Sequence, residues 1–439
     1  MACGWFSLSR WQRLAVNFGW LLGGQGAASI LGLLSTAICA RTLGADEFGV
    51  VVMLQAGALL VRQFCNFKTA DATVRFGVAL HASSDSEGWR SMLRGLFRLD
   101  VIGMLMAVGV TALIVGAGMS LRPELFPSTS WIYVLAATGF IEGTAKGTLR
   151  VLDRYRILGA LEATGSVVRL TGAAIAAWLE APFEAFIVVY GVALWLDHGL
   201  LTIPAWLAVR SDLRSQPPNK SVPLHKFDGV VSFLRSVYWQ SNIDALMRQG
   251  PTLLVGTVLS SGDAGIYRLA RDVAEVIRKP VALIRQAIFP DLARTWLNEP
   301  AQFLRFTVQV AAVLAAVGVL FMAMIWYFGD QILNLLGGAE FVAGTPLVIL
   351  LVAVAVLELP SASLRPAVYT LSGERLVLGL SLLTASTYAV TFLWLDSPIG
   401  LYAAGWSSLV AYGVAFAGYL VLLRILLRRS SHRALPPAS

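Results

Sequence analysis

Charge is scarce in this chain. Only 14% of its 439 residues are Asp, Glu, Lys or Arg, while 57% are hydrophobic. A soluble protein of this size would expose too much apolar surface. Cysteine is also sparse: Cys3, Cys39 and Cys65 are odd in number and form no disulfide framework. His81, His198, His225 and His432 are scattered without metal-ligand spacing, so no metal or cofactor is expected. No G-x-x-x-x-G-K-[ST] occurs, which excludes a built-in P-loop ATPase. No non-cytoplasmic connection is long enough for a catalytic domain, and no enzymatic activity is expected.

What the chain has instead is apolar runs near the length that spans a bilayer. They fall at about 17–40, 48–70, 97–118, 130–150, 156–178, 184–208, 232–258, 264–288, 303–328, 342–364, 376–395 and 399–423. Barrel strands alternate with period two, and these runs do not. The expectation is an all-α membrane protein with 12 transmembrane helices. Run 17–40 follows Arg10 and Arg13 in the manner of a signal peptide. Its 24 residues exceed a usual signal core, so it reads as the first span.

The positions of Lys and Arg test this count. Twelve spans put the N-terminal tail, 68–98, 146–156, 209–235, 285–305, 365–375 and the C-terminal tail on one side, with 25 Lys/Arg. The opposite connections hold only Arg41 and Arg122, beside several acids. That gradient puts both termini in the cytoplasm. It also absorbs most of the net charge of +8, so no nucleic-acid partner is expected. Dropping either of the two most charged runs, 232–258 or 264–288, would destroy the pattern.

An internal repeat accompanies the runs. At an offset of 216, Leu43 falls on Leu259, Gly49 on Gly265, Arg62 on Arg278 and Glu142 on Glu358. The repeat predicts two six-helix bundles, 1–208 and 232–427, joined by a cytoplasmic linker 209–231 and followed by a basic tail 428–439. Six spans per unit give the halves one orientation, an arrangement common in transporters with a site between repeats.

The eighth run carries the densest charge. Arg268, Arg271, Asp272, Glu275, Arg278, Lys279 and Arg285 occupy an arc of roughly 140° at 100° per residue. Charge facing lipid costs on the order of 2.5–3.5 kcal/mol per residue, so these groups must pair or line a polar cavity. Arg268–Asp272, Arg271–Glu275 and Glu275–Lys279 can pair at i,i+4. Five bases against two acids still leave +3. That surplus is met either by other helices and snorkelling or by an anionic ligand such as a phosphate, which suits the Arg donor fork.

The second run carries a fainter polar face of Gln55, Arg62, Asn66 and Thr69. The seventh places Gln240, Asp244 and Arg248 on one face. Asp244 either neutralises Arg248 or titrates during transport. Glu142 has Lys146 at i+4 and reads as a structural pair. Glu358 precedes Pro360, which either breaks or kinks its helix. Glu162 and Arg169 receive no role.

The sequence resembles a known family. "ARTLGADEFGVVVM" after the first run is similar to the short loop common in polysaccharide transporters. "NIDALMRQGPTLLVGTVLSSGDAGIYRLARDV…RQAIFPDLAR" resembles their second-half pattern: an Asp in span seven, Gly-Ile-Tyr opening span eight and a Pro closing it. This is the oligosaccharide flippase branch of the multidrug/oligosaccharidyl-lipid/polysaccharide exporter superfamily. The resemblance implies two bundles around a central cationic cavity. It also implies movement of an undecaprenyl-diphosphate-linked oligosaccharide across a bacterial inner membrane for O-antigen, capsule or exopolysaccharide assembly. Arg62, Arg248, Arg268, Arg271, Arg278, Gln55 and Asn66 would meet the substrate. Asp244, Glu275 and Glu358 would couple H+ or Na+. Membrane lipids and polysaccharide assembly proteins would be partners. Related lipid II flippases have two further spans. The rivals are a multidrug/cation antiporter of the same superfamily and a membrane glycosyltransferase or polymerase.

Overall fold

A computed structural model describes residues 10–83, 85–212, 227, 229–276, 300–370 and 374–433. The described residues with regular structure are all helical. In order they form α1 (Arg10–Cys65), α2 (Thr69–Ala82), α3 (Ser86–Leu121), α4 (Trp131–Ala137), α5 (Glu142–Val151), α6 (Tyr155–Trp178), α7 (Phe183–Gly199) and α8 (Thr202–Asp212). Then come α9 (Val230–Val258), α10 (261–276), α11 (Pro300–Gly337), α12 (Ala339–Val342), α13 (Thr345–Thr370), α14 (Glu374–Ile399) and α15 (Tyr402–Arg433). The chain divides into two compact units. The first holds the described residues up to Leu43 and Val50–Ala245; the second holds Gly44–Gly49 and the described residues from Leu246 onward.

In the first unit, α3 shows how the sequence selects its faces. Trp89, Met92, Leu96, Asp100, Gly103, Ala107, Thr111 and Val115 recur every three or four residues and are buried. Ile102, Leu105, Met106, Leu113 and Ile114, on the other side, are exposed. An exposed stripe of that kind is stable against lipid and not against water. The cytoplasmic connection expected at 68–98 is instead mostly helix. α2 and the first turns of α3 pack Ala72, Trp89, Met92, Leu93 and Leu96 into one core with Val230 and Leu234 of α9.

In the second unit, α13 packs against α11 and α15. Leu314, Ala355 and Leu359 form one core, and Leu364, Ala367, Val368, Val377, Leu380, Tyr419 and Leu423 form another. α13 stays helical through Pro360, so that proline does not break it. Gly44 splits α1 into two arms at φ 71°, a conformation open to glycine at little cost. The expected loop between the first two runs is therefore a single non-helical residue. The second arm's first N–H, at Ala45, donates to the Glu340 carboxylate at 3.1 Å. Nearby, Gly49 and Gly265, the pair matched at offset 216, lie at a close backbone crossing. A Cβ on Gly49 would sit 1.8 Å from the Ser261 carbonyl oxygen, and one on Gly265 would sit 2.4 Å from that of Ala45. α10 opens on a Ser260 N-cap, whose hydroxyl accepts from Asp263 N–H at 3.0 Å and donates to the Asp263 carboxylate at 2.7 Å.

Among the described residues, six helical stretches are long and apolar enough to cross a membrane: Gly26–Cys65, Ser86–Leu121, Phe183–Arg210, Thr307–Gly337, Leu376–Ile399 and Tyr402–Leu426. The chain is a multi-pass membrane protein. The other expected runs depart from that pattern for identifiable reasons. Run 130–150 breaks at 138–141, run 48–70 ends at Cys65 and continues α1, and α6 carries Arg156, Glu162 and Arg169. Run 264–288 is described only to Val276. Trp131, Trp178, Trp326, Tyr327 and Trp394 are exposed. They sit at run ends that the sequence assigns to one side, as interfacial aromatics do.

Candidate functional site

The polar centre of the first unit is built on a broken helix. α4 stops at Ala137, the chain turns through Thr138–Ile141, and α5 restarts at Glu142. Such a break within an apolar run orphans backbone N–H and C=O groups, which must find partners inside the protein. Asp100 of α3 supplies one. Its carboxylate accepts from Thr144 N–H at 2.6 Å and from the Thr69 hydroxyl at 2.5 Å. Trp195 Nε1–H reaches the Thr138 hydroxyl at 3.1 Å, and that hydroxyl donates to the Leu135 carbonyl at 2.7 Å. Gly143 permits this closeness, since a Cβ there would fall 2.0 Å from the Thr69 hydroxyl.

Glu142 occupies the first position of α5, where the helix dipole favours an anion. It is buried. Arg62 of α1 donates to one carboxylate oxygen, and His198 Nδ1 of α7 lies 2.5 Å from the other. The expected i+4 neighbour Lys146 adds a favourable charge, and two distant helices supply the groups that contact these oxygens. Beside this set, Arg169 of α6 lies 3.5 Å from Asp197, the residue before His198, and over the Tyr190 ring at 5.7 Å. Sequence reasoning gave Arg169 no role, read His198 only as a scattered histidine, and passed over Asp100 and Asp197. The available signal was two adjacent polar residues, Asp197 and His198, inside an apolar run. The two remaining residues of the expected face on this arm differ. Gln55 is buried, but Asn66 lies beyond the end of α1, where its side chain accepts from Lys68 N–H at 2.8 Å. The left-handed Lys68 there prevents the helical face from running on to Thr69.

The second unit holds a separate polar recess. Met247, Arg248 and Pro251 of α9 line it with Tyr267, Arg271 and Glu275 of α10. Arg268 donates from Nε to Asp272 at 3.1 Å, and Arg271 pairs with Glu275 at 3.8 Å. Arg271 also donates to the backbone carbonyl of Arg248. That carbonyl lies in the turn before Pro251, a residue with no N–H to give the helix. The side chains of Arg268, Arg271, Asp272 and Glu275 are at most 22% exposed, so they face protein, not lipid. On α10 the bases Arg268 and Arg271 are met by the acids Asp272 and Glu275. The surplus read from the sequence therefore comes from Arg278, Lys279 and Arg285, which lie outside the described residues. Asp244 and Glu358 are half-buried on α9 and α13.

Among the described residues no cluster of three or more His, Cys, Asp or Glu is arranged to hold a metal ion.

Comparison with known proteins follows the same lines. Over its full span the fold is similar to a multidrug resistance MATE family transporter of the MOP superfamily in an inward-facing conformation. The TM-score is 0.68 at 15% identity, covering 93% of this chain and 96% of the other. It is similar to the lipid II flippase MurJ in an inward closed conformation, with TM-score 0.67 at 9% identity over 94% and 93% of the two chains. The inner membrane protein YghQ of Escherichia coli (strain K12) is 23% identical over 361 residues, 78% of this chain and 98% of that protein. Residues 14–296 match the family described as polysaccharide biosynthesis protein. With well over half of its length matched, the chain belongs to the polysaccharide biosynthesis protein family, on the transporter fold shared by MATE proteins and MurJ.

Proposed function

We propose that this protein is a flippase. It moves an undecaprenyl-diphosphate-linked oligosaccharide from the inner to the outer leaflet of a bacterial inner membrane, supplying O-antigen, capsule or exopolysaccharide assembly. The observation that carries this reading is the unbalanced positive charge on the eighth run. Arg268 and Arg271 have acids of their own, and in sequence the run carries three further bases, Arg278, Lys279 and Arg285, in excess of its acids. Family membership and the fold of a lipid II flippase support the same substrate class. Arg248, Arg271 and Arg62 would contact the diphosphate or sugar in successive states, with both termini in the cytoplasm.

Movement would follow alternating access. An H+ or Na+ gradient would drive it through Asp244, Glu275 or Glu358, because only differential affinity of two states for ion and substrate makes transport directional. The protein would relocate the sugar and leave it chemically unchanged, and it would hand the lipid to polysaccharide assembly proteins. A second reading, export of cationic drugs, draws on the MATE-like fold. A net-positive stripe opposes it.

Product analysis in vesicles separates these readings. Purified protein is reconstituted with a lipid-linked oligosaccharide, and outer-leaflet sugar is scored with a lectin. The proposal requires lectin exposure of an intact, unmodified oligosaccharide and no change in drug sensitivity on overexpression. A chemically altered sugar would mark an enzyme. Drug resistance without lectin exposure would mark an exporter.

A further inference from the structure

We infer that Glu142 is an internal stand-in for the substrate's diphosphate, and that His198 takes up a proton when Arg62 leaves Glu142 for substrate. Binding of the anionic head group is thereby tied to entry of one proton. The inference rests on the diphosphate reading above and adds a site to it.

The geometry sets up the exchange. Each Glu142 oxygen is met by a side chain from a distant helix: one by Arg62 from α1, the other by His198 from α7. The Glu142 side chain is 6% exposed and short, so it cannot follow a departing partner into water. Arg62 is 21% exposed on a long flexible stem, and its Nε has no acceptor among the described residues. A guanidinium with donors to spare is suited to a diphosphate, which offers several oxygens in a fork-compatible arrangement.

The surrounding charges decide what happens next. Arg169 of α6 is engaged with Asp197 of α7, and Asp100 of α3 is held by Thr69 and Thr144. Lys146 on α5 adds a positive charge near Glu142. With His198 neutral, Arg62 and Arg169 are the cations in contact with Glu142 and Asp197. Once Arg62 turns to substrate, the buried Glu142 carboxylate loses the guanidinium that contacts it, a larger cationic influence on it than Lys146. His198 is the one group in direct contact that changes charge near neutral pH. Neutral His198 beside an ionised carboxylate carries its hydrogen on Nδ1 and donates it to Glu142. The added proton comes from water and bonds to Nε2, giving an imidazolium that replaces Arg62. Return of Arg62 on release of the substrate expels that proton.

Calorimetric titration of the full-length protein in nanodiscs tests this, with undecaprenyl diphosphate as the probe. Runs at pH 7 in two buffers of different ionisation enthalpy give the number of protons taken up per diphosphate bound. The wild-type chain is expected to take up about one proton and to bind more weakly as pH rises from 6 to 8. The slope should approach a tenfold loss per unit at the alkaline end. His198→Gln should bind with no proton uptake and a flat pH profile. Glu142→Gln, which frees Arg62 and leaves no buried carboxylate to compensate, should bind more tightly, also without proton uptake. This second variant covers the case in which His198→Gln does not fold. Wild-type binding with no proton uptake, or undiminished uptake in His198→Gln, overturns the exchange alone. Absence of any diphosphate binding by the wild-type protein overturns both the exchange and the flippase reading.

Discussion

His198 Nδ1 lies 2.5 Å from one oxygen of Glu142, and Arg62 holds the other oxygen of the same carboxylate. The three residues come from α7, α5 and α1, and only the break between α4 and α5 brings Glu142 to the start of a helix where they meet. A buried ion pair contributes little net stability but is costly to leave half-made. Glu142→Ala should therefore destabilise the first unit by about 3 kcal/mol, at the low end because Arg62 is partly exposed. The double variant Arg62→Ala with Glu142→Ala should lose less than Glu142→Ala alone. Thermal unfolding in detergent, arranged as a double-mutant cycle, measures both.

Asp100 caps the restarted helix by accepting from Thr144 N–H while it holds the Thr69 hydroxyl. Asp100→Asn keeps an acceptor for one of these donors and should cost about 1 kcal/mol. Asp100→Ala leaves a buried N–H and a hydroxyl without it and should cost about 2–3 kcal/mol. The ratio of the two losses, read from the same unfolding assay, is the check. Equal costs would mean that the hydrogen bonds contribute nothing.

How much of this was legible follows from what makes each feature local or distant. The helical membrane class depends on run length and composition, so it could be read directly. The pairs Arg268–Asp272 and Arg271–Glu275 depend on helix periodicity alone, and both are present. Glu142 and Arg62 were singled out, but the partner assigned to Glu142 was its i+4 neighbour Lys146. Periodicity cannot see Arg62 and His198, which are 80 and 56 residues away. The break at 138–141 was also invisible. In "AATGFIEG" the only charge is Glu142 itself, and no proline marks the interruption. Gly44 is a different failure: a short loop was expected, and a single glycine at φ 71° suffices.

The crossing of Gly49 and Gly265 gives a sharper contrast. Gly49→Ala would thrust a methyl group into the Ser261 carbonyl oxygen and should sharply reduce the yield of folded protein. Gly57→Ala, on the same arm with open space around it, should be neutral or stabilising by about 0.4–1 kcal/mol through the unfolded chain. Monodispersity on gel filtration and thermal unfolding distinguish the two. Equal tolerance would show that the close approach has no energetic consequence.

The contact between Glu340 and Ala45 N–H should behave as a surface helix cap. Glu340→Ala is expected to cost about 0.5–1 kcal/mol, screened partly by salt, with Glu340→Gln intermediate. Hydrogen exchange should quicken at residues 45–48 and stay unchanged in α14. Uniform quickening throughout the second unit would contradict a local cap.

The central claim is that cationic side chains carry a diphosphate-linked oligosaccharide across the membrane. Its most direct test is the initial flipping rate of a lectin-scored lipid-linked oligosaccharide in proteoliposomes, for the wild-type chain and for Arg62→Ala combined with Arg278→Ala. The expected result is robust flipping by the wild-type protein and a fall of at least tenfold in the double variant, with folded protein recovered at a comparable level. Flipping at the wild-type rate by the double variant would contradict the claim.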